Sequence, residues 1–383
     1  MCVSHRQRLR TAWSLREPDR VPIELRIFPS AARHPEAGRV LELIEEHADN
    51  LAGMPGVDWG FLGFPSEYTE EFIEEVPGRY RRMRCTHVTS AGTFTAVTYH
   101  PEGDPDYHWE RRFVSSIEDL RRLAETPRPP ARWDAAMWRE KADEIGDRAL
   151  PTLELLHPLG FLVRNSTMEE VYTWLHDEGA TVHRFLEAAG AHVAEAVKGM
   201  TAAGIGPYFT VTAHEMLLPP WMGHRLFDEF VFPYDKSVND AVHAGGGKVR
   251  AHCHGNCMDF LEQMSAMGID AIEPLEAPPG GDVDLAEAKR SVGDRMMLSG
   301  NIPSERFVTM SPGEVRELVR EAIAAAAPGG GFSLRTTGAG GGTCACMNDD
   351  QMAHVLANCE AFLLAGLEFG CYPIRPTSRL SKE

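Results

Sequence analysis

Two histidines set two positions apart, His252 and His254 in the run K-V-R-A-H-C-H-G-N-C-M (248–258), are the residues of this 383-residue chain best placed to do chemistry. The run follows Gly245-Gly246-Gly247, opens on a β-branched apolar residue and stops at Gly255-Asn256, which predicts a short buried strand over 249–254 leading into a loop. Strand side chains alternate faces, so Arg250, His252 and His254 point one way while Val249, Ala251 and Cys253 point the other. Two imidazoles side by side at a strand end form a chelate for a borderline metal such as zinc and need one or two further ligands from other loops. The competing reading makes both rings hydrogen-bonded polar groups lining a pocket. With an arginine on the same face, we read the pair as metal ligands.

Such a pair needs elements that hold it, and the surrounding sequence supplies an alternation of strands and helices. Strands are predicted at 20–28, 58–64, 150–157, 207–214, 249–254, 270–275, 295–301 and 330–337, with helices between most of them. In the first, R-V-P-I-E-L-R-I-F, Val21, Ile23, Leu25 and Ile27 alternate with Glu24, Arg26 and Phe28, a polar face suited to entering a pocket. Ser166-Thr167 with Glu169-Glu170, and Ser311-Pro312-Gly313-Glu314, are helix starts. Leu226 to His243 is expected as a helix broken or bent at Pro233, and 348–367 as the closing helix. Eight strands covered by helices fit an α/β fold of the (β/α)8 TIM-type barrel class, taken as a single domain over 1–383. The stretch 76–115 breaks the pattern: two β-rich runs within 79–99 joined at Ser90-Ala91-Gly92 predict a hairpin, and 100–112 is a third strand or a loop. It is read as an inserted β-rich cover over one end.

In such a barrel the active site lies at the carboxyl ends of the strands. Polar residues gather there: Glu154 and His157, His214 and Glu215, Arg250 with the two histidines, Glu273 and Glu276, Asn301, and Arg335 with Thr336 and Thr337. Each alone has a bland reading as an exposed group, a turn cap or an ion-pair partner. Together they are too polar for a mouth that only needs closing. Glu154, His214, Glu215 and Glu273 are the expected catalytic groups, and His157, Arg250, Asn301 and Arg335 the expected substrate contacts. Further metal ligands are sought among Glu273, Cys257, Cys344 and Cys346, the last two in the loop after the final strand. Metal-free acid/base work by His214, His252 or a carboxylate is the alternative.

Composition bounds the partners. A net charge of −18 and the lack of a basic stripe argue against nucleic acid or an anionic membrane as partner, so a small molecule is expected. The start of the chain carries charges and no apolar core segment, and no uninterrupted apolar run approaches spanning length, so the cytoplasm is the expected location and no membrane is involved. The eight cysteines lack the density of a secreted scaffold and are read as thiols. No nucleotide-binding glycine loop occurs at a strand-to-helix junction.

Six stretches taken together resemble the uroporphyrinogen decarboxylase superfamily: R-E-P-D-R-V-P-I (16–23), P-P-W-M-G-H-R-L-F-D-E-F-V-F-P-Y (219–234), H-C-H-G-N (252–256), G-I-D-A-I (268–272), L-S-G-N-I (298–302) and P-G-G-G-F (328–332). Residues 66–147 match least. The resemblance implies a (β/α)8 barrel in a group holding porphyrinogen decarboxylases and zinc-dependent methyltransferases that move methyl groups between a corrinoid and a thiol or other acceptor. Where the decarboxylases carry an R-Q-A-G-R-Y type segment and an F-S-D-I type segment, this chain reads R-I-F-P-S-A-A-R and D-W-G-F-L-G-F, without the arginine pair or the aspartate. In the methyltransferases zinc is bound by a His-x-Cys pair and a distant Cys after the last strand. His252 matches the first, His254 stands at the second, and the third falls near Thr337-Gly338, with Cys344 and Cys346 several residues on.

The expectation is therefore a zinc-dependent methyltransferase with metal at His252, His254, Cys344 and Cys346, with cobalamin as methyl carrier on a corrinoid protein partner, and a homodimer as assembly. Decarboxylation or another lyase reaction on a small carboxylate is the second reading. A non-catalytic metal- or corrinoid-binding protein is the third.

Overall fold

A computed structural model of the chain describes residues 3–55, 57–104, 106–339 and 347–374. In chain order its strands are β1 (Ile23–Glu24), β2 (Leu51–Gly53), β3 (Val57–Asp58), β4 (Glu67–Val76), β5 (Tyr80–Thr89), β6 (Gly92–Pro101), β7 (His108–Arg111), β8 (Arg132–Trp133), β9 (Leu150–Leu155), β10 (Tyr208–Val211), β11 (Lys248–Cys253), β12 (Ala271–Pro274), β13 (Met297–Ile302) and β14 (Phe332–Thr336). Eight of them form one parallel sheet in the order β1-β14-β13-β12-β11-β10-β9-β2. With helices such as Gly179–Ala202, Phe232–Ala244, Pro312–Ala326 and Asp349–Phe369 outside it, this is the (β/α)8 barrel.

The seam between β1 and β2 is closed by side chains. Asn50 accepts from the Leu25 amide at 3.1 Å and donates to the Leu25 carbonyl at 2.9 Å, so its carboxamide imitates one rung of a strand ladder. Next to it the Asp49 amide donates to Ile23 O at 2.6 Å and the Asp49 carboxylate accepts from Ile23 N at 3.0 Å. That carboxylate, fully buried, also binds His5, Arg8 and Arg20, which ties the helix His5–Trp13 under the barrel. Leu9, Ala12 and Trp13 of this helix pack on Leu51, Leu150, Tyr208, Ala271 and Met297, a small apolar cluster distinct from the main core between sheet and helices. The lumen is thus plugged with apolar groups at its amino end. Its polar groups lie above, toward the carboxyl ends of the strands.

Local chemistry explains most element ends. Thr167 with Glu170, Ser311 with Glu314 and Asn348 with Gln351 form reciprocal capping boxes. The glycines before β14 permit a close crossing: Gly330 has φ +80°, and a Cβ there would lie 2.3 Å from the Arg16 backbone.

Three expectations are corrected, and a fourth, the closing helix, is found where it was expected. The second barrel strand is β2 at 51–53 rather than 58–64, because Asp58 turns back to cap Gly60 and the β3 dipeptide pairs with β8 instead. The helical stretch 226–243 is two helices, His224–Phe230 and Phe232–Ala244, with Pro233 in the first turn of the second, where its missing N–H costs nothing. The insertion is a four-stranded antiparallel sheet, β4-β5-β6-β7, which starts at Glu67 and makes a strand of 108–111. The closing helix Asp349–Phe369 is 21 residues long with a window of mean hydropathy 1.2, long and apolar enough to cross a bilayer. Half of that window is buried, with Phe362, Leu363 and Cys359 turned into the core, as expected of a helix packed on a barrel.

Candidate functional site at the barrel mouth

Residues paired across the parallel strands share a face, so the register assigns the lumen. Arg250 aligns with Thr210, His252 with Glu273, Asn301 with Arg335, and Arg335 with Glu24. At the centre is Glu24, 2% exposed and absent from the expected site. Its carboxylate accepts from Arg250 Nη1 at 2.9 Å, Ser299 Oγ at 2.9 Å, Ser333 Oγ at 2.6 Å and Arg335 Nη1 at 3.2 Å. Burial would push the Glu24 carboxyl up, but the two guanidiniums and the Ser333 hydroxyl hold it below the usual carboxylate range.

Arg250 is 1% exposed, with Glu24 on one amino group and Ser299 on the other, so the expected substrate contact is instead an internal counter-ion. Arg335 is spoken for as well, its Nε 2.7 Å from Glu273 Oε2. Glu273 in turn is kept strongly ionised: burial opposes the charge, and Arg335, Arg250 and His252 outweigh it.

The two histidines stand at the edge of this network with rings 4.6 Å apart and nearly perpendicular. His252 Nδ1 lies 2.9 Å from Glu273 Oε1, and His254 Nδ1 lies 3.0 Å from Glu276 Oε1, whose other oxygen accepts from Gly255 N at 2.7 Å. The carboxyl groups of Glu273 and Glu276 are both shifted down, so each is an ionised acceptor and each Nδ1 must carry the proton. In the neutral rings that leaves the lone pair on each Nε2, and among the described residues neither Nε2 has a hydrogen-bond partner, although Glu276 and Glu215 raise the His254 pKa and so favour its protonated form. A carboxylate behind each imidazole is the arrangement that orients metal-binding histidines.

The donor set fits a divalent metal in its first two members. Glu215, after β10, has a buried Oε2 without a partner among the described residues, and its charge helps raise the His254 pKa, after the larger effect of Glu276. Two imidazoles and a glutamate would make a zinc donor set, but the donor atoms of His252, His254 and Glu215 do not all fall within 4.8 Å of one another, so a metal there would need Glu215 to move in. Cys257, by contrast, is fully buried and hydrogen-bonds Cys253 on the opposite face, so it is no ligand. Cys344 and Cys346 lie outside the described residues.

Other expected residues separate into two places. Glu154 faces the open mouth, bonded to Thr212 Oγ1 at 2.8 Å and to Arg164 at 3.2 Å. Asn301 lines a cavity of about 330 Å³ with Glu276, Glu305, Arg306, Thr337 and Leu318. This is room for a small molecule directly beside the carboxylate that holds His254. His157 and His214 are buried together instead, on the helix-facing side, stacked with ring centres 4.8 Å apart. Asp235 Oδ2 lies 3.1 Å from His214 Nε2 and 3.6 Å from His157 Nδ1. Among the described residues these three are the one group of metal-ligand type whose donor atoms all fall within 4.8 Å, and His157 Nε2, His214 Nδ1 and Asp235 Oδ1 have no partner. Burial lowers the His157 pKa, keeping that ring neutral.

Sequence reasoning missed Glu24, Ser299, Ser333 and Asp235. The alternation in β1 was the available signal for Glu24. Asp235, on an outer helix, offered none.

Fold and mouth together define a (β/α)8 barrel with a polar, charge-rich carboxyl end. The family model of uroporphyrinogen decarboxylase matches residues 159–337, which contain β10 to β14. The chain is 28% identical over 177 residues to the uroporphyrinogen decarboxylase of Shewanella loihica and 27% identical over 177 residues to that of Shewanella piezotolerans. It spans about half the length of these relatives, 45% of each. A methyltransferase from Methanosarcina mazei superposes with TM-score 0.59 at 14% identity, covering 96% of this chain and 99% of that one, a likeness of fold. The likeness in sequence to uroporphyrinogen decarboxylases thus covers a little under half of the chain, residues 159–337, while the likeness in fold to the methyltransferase runs over nearly all of it.

Proposed function

We propose that this protein is a metal-dependent methyltransferase that acts on a small substrate at the barrel mouth, with a corrinoid, carried by a partner protein, as methyl carrier. The observation that carries the reading is the pair of imidazoles, each with Nδ1 held by a carboxylate, so that in the neutral ring Nε2 is the atom that would take a metal. His252 and His254 would hold the metal with Glu215 as third donor. A bound zinc would supply Lewis acidity, lowering the pKa of a thiol acceptor so that it attacks as thiolate. Around it, Glu273 and Glu276 orient the rings, the Glu24–Arg250–Arg335 network keeps Glu273 in place, and the cavity at Asn301 receives the acceptor.

The decarboxylase reading has its own support in the two Shewanella relatives and the family model. Against it for a substrate with several carboxylates, the lumen guanidiniums of Arg250 and Arg335 are already neutralised by Glu24 and Glu273.

Metal analysis of the protein purified without chelator, followed by methyl transfer from methylcobalamin to a panel of thiols, tests the proposal. Near-stoichiometric zinc that is lost in His252→Ala and His254→Ala but kept in His214→Ala, with cob(I)alamin appearing on turnover, is the expected result. Zinc lost only in His214→Ala would move the metal to the buried His157–His214–Asp235 group and remove it from the mouth. A folded protein without metal would end the reading and favour the lyase, and metal without turnover would favour a binding role.

A further inference from the structure

The inserted sheet β4–β7 encloses a second cavity, also about 330 Å³, whose lining shares no residue with the barrel mouth. Its wall is a chain of rings, each in contact with the next. Tyr68 and His87 are 4.8 Å apart by ring centres, His87 and Phe113 4.8 Å, Phe113 and Trp109 5.6 Å, Trp109 and Tyr107 5.4 Å, and Tyr107 and His100 5.4 Å. The Tyr107–Trp109 and Trp109–Phe113 pairs meet edge to face, which bends the row into a horseshoe. Cys85 and Thr98, 4% and 3% exposed, form the floor with no charge between them. Glu70 is the one carboxylate in the lining, and Tyr68 donates its phenol O–H to Glu70 at 2.7 Å.

This combination has a chemical meaning. Aromatic faces are negative and attract cations, most strongly a cation too weakly hydrated to prefer water, and a carboxylate at the rim adds to that field. Trp109 already draws a cation, with the Arg112 guanidinium 4.9 Å over its ring, so a ligand cation would share that ring with Arg112. His87 is pushed down in pKa by burial, so its ring adds no positive charge to repel such a ligand. A purely apolar ligand would need no acid at the rim, and an anion would meet Glu70 and a chain of net charge −18. Tyr68 and Tyr107, about half exposed at 49% and 48%, leave the cavity open to solution.

We propose that the insertion binds an organic cation of the quaternary-ammonium class between Tyr68, His87, Tyr107, Trp109 and Phe113, with Glu70 as counter-charge. The site is independent of the barrel mouth, and its failure would leave the methyltransferase reading untouched.

Calorimetric titration of the full-length protein with choline, and with the neutral analogue in which carbon replaces the ammonium nitrogen, tests this directly. Choline is expected to bind saturably, and the analogue roughly tenfold more weakly. Trp109→Ala should abolish choline binding, and Tyr107→Ala, at an exposed position where the fold has little at stake, should weaken it several-fold. Glu70→Gln should weaken choline and leave the analogue unchanged. Equal affinity for choline and the analogue, an unchanged affinity in Tyr107→Ala, or no saturable choline binding would each overturn the proposal.

Discussion

Glu24 carries the charge balance of the lumen, because it is the carboxylate shared by Arg250 and Arg335. Glu24→Gln would keep the shape and remove the charge, leaving the Arg250 guanidinium buried without its main partner. Breaking a buried pair from one side costs about 3–5 kcal/mol. Urea denaturation should therefore show a loss of that order, and adding Arg250→Met to the same chain should recover much of it, since the orphaned charge then disappears. The histidines respond differently to their carboxylates. In Glu273→Gln the amide no longer demands a proton on His252 Nδ1, so the ring is freed to turn and to take the other tautomer. Zinc affinity, measured by chelator competition, should fall about 10–100-fold while the fold persists. An unchanged affinity would show that Glu273 serves the arginines alone.

At the scale of elements, the seam between β1 and β2 is the weakest closure of the barrel and the most dependent on charge. Asp49 caps it from within, binding Ile23 N, Arg8, Arg20 and His5. Burial alone would raise its pKa, yet the bonds to His5, Arg20 and Arg8 hold it below the ordinary value. A carboxylate depressed in the folded state contributes stability that is fully present above the unfolded pKa of about 3.9 and is lost as pH falls through the folded one. Asp49→Asn should thus be less stable at neutral pH and show a flatter loss of stability on acidification below about pH 4, read from thermal melts across that range. The second barrel strand leaves little trace in the sequence. L-A-G is only three residues and follows a helix directly, so it has no alternation to detect, whereas 58–64 has the composition of a strand and lacks a neighbour in the barrel.

For the whole molecule, the arrangement is a barrel closed below by apolar packing and kept polar above. Trp13 is the largest group in the lower plug, fully buried, and meets Tyr208 edge to face at 5.1 Å. Trp13→Ala should cost about 3–5 kcal/mol in stability from lost burial and the cavity left behind. Because the plug lies at the opposite end from His252 and His254, metal content in the surviving folded protein should stay as in the parent, which metal analysis checks. A loss of metal in that variant would show that the two ends of the lumen are coupled through the Glu24 network.

What the sequence by itself determined is the strand and helix alternation, the capping boxes, the face shared by Arg250, His252 and His254, and so the barrel and its polar end, because these follow from periodicity and local hydrogen bonding. What only the tertiary structure decided is who pairs with whom. Arg250 and Arg335 turned out to be occupied by Glu24 and Glu273, and His157 and His214 by each other and Asp235, since a buried charge takes its partner from whatever strand or helix the fold brings alongside, at any distance along the chain. The same holds for the aromatic horseshoe: its rings come from β4, β5, β6, β7 and their flanks, and nothing in their spacing along the sequence shows that they bend around one space.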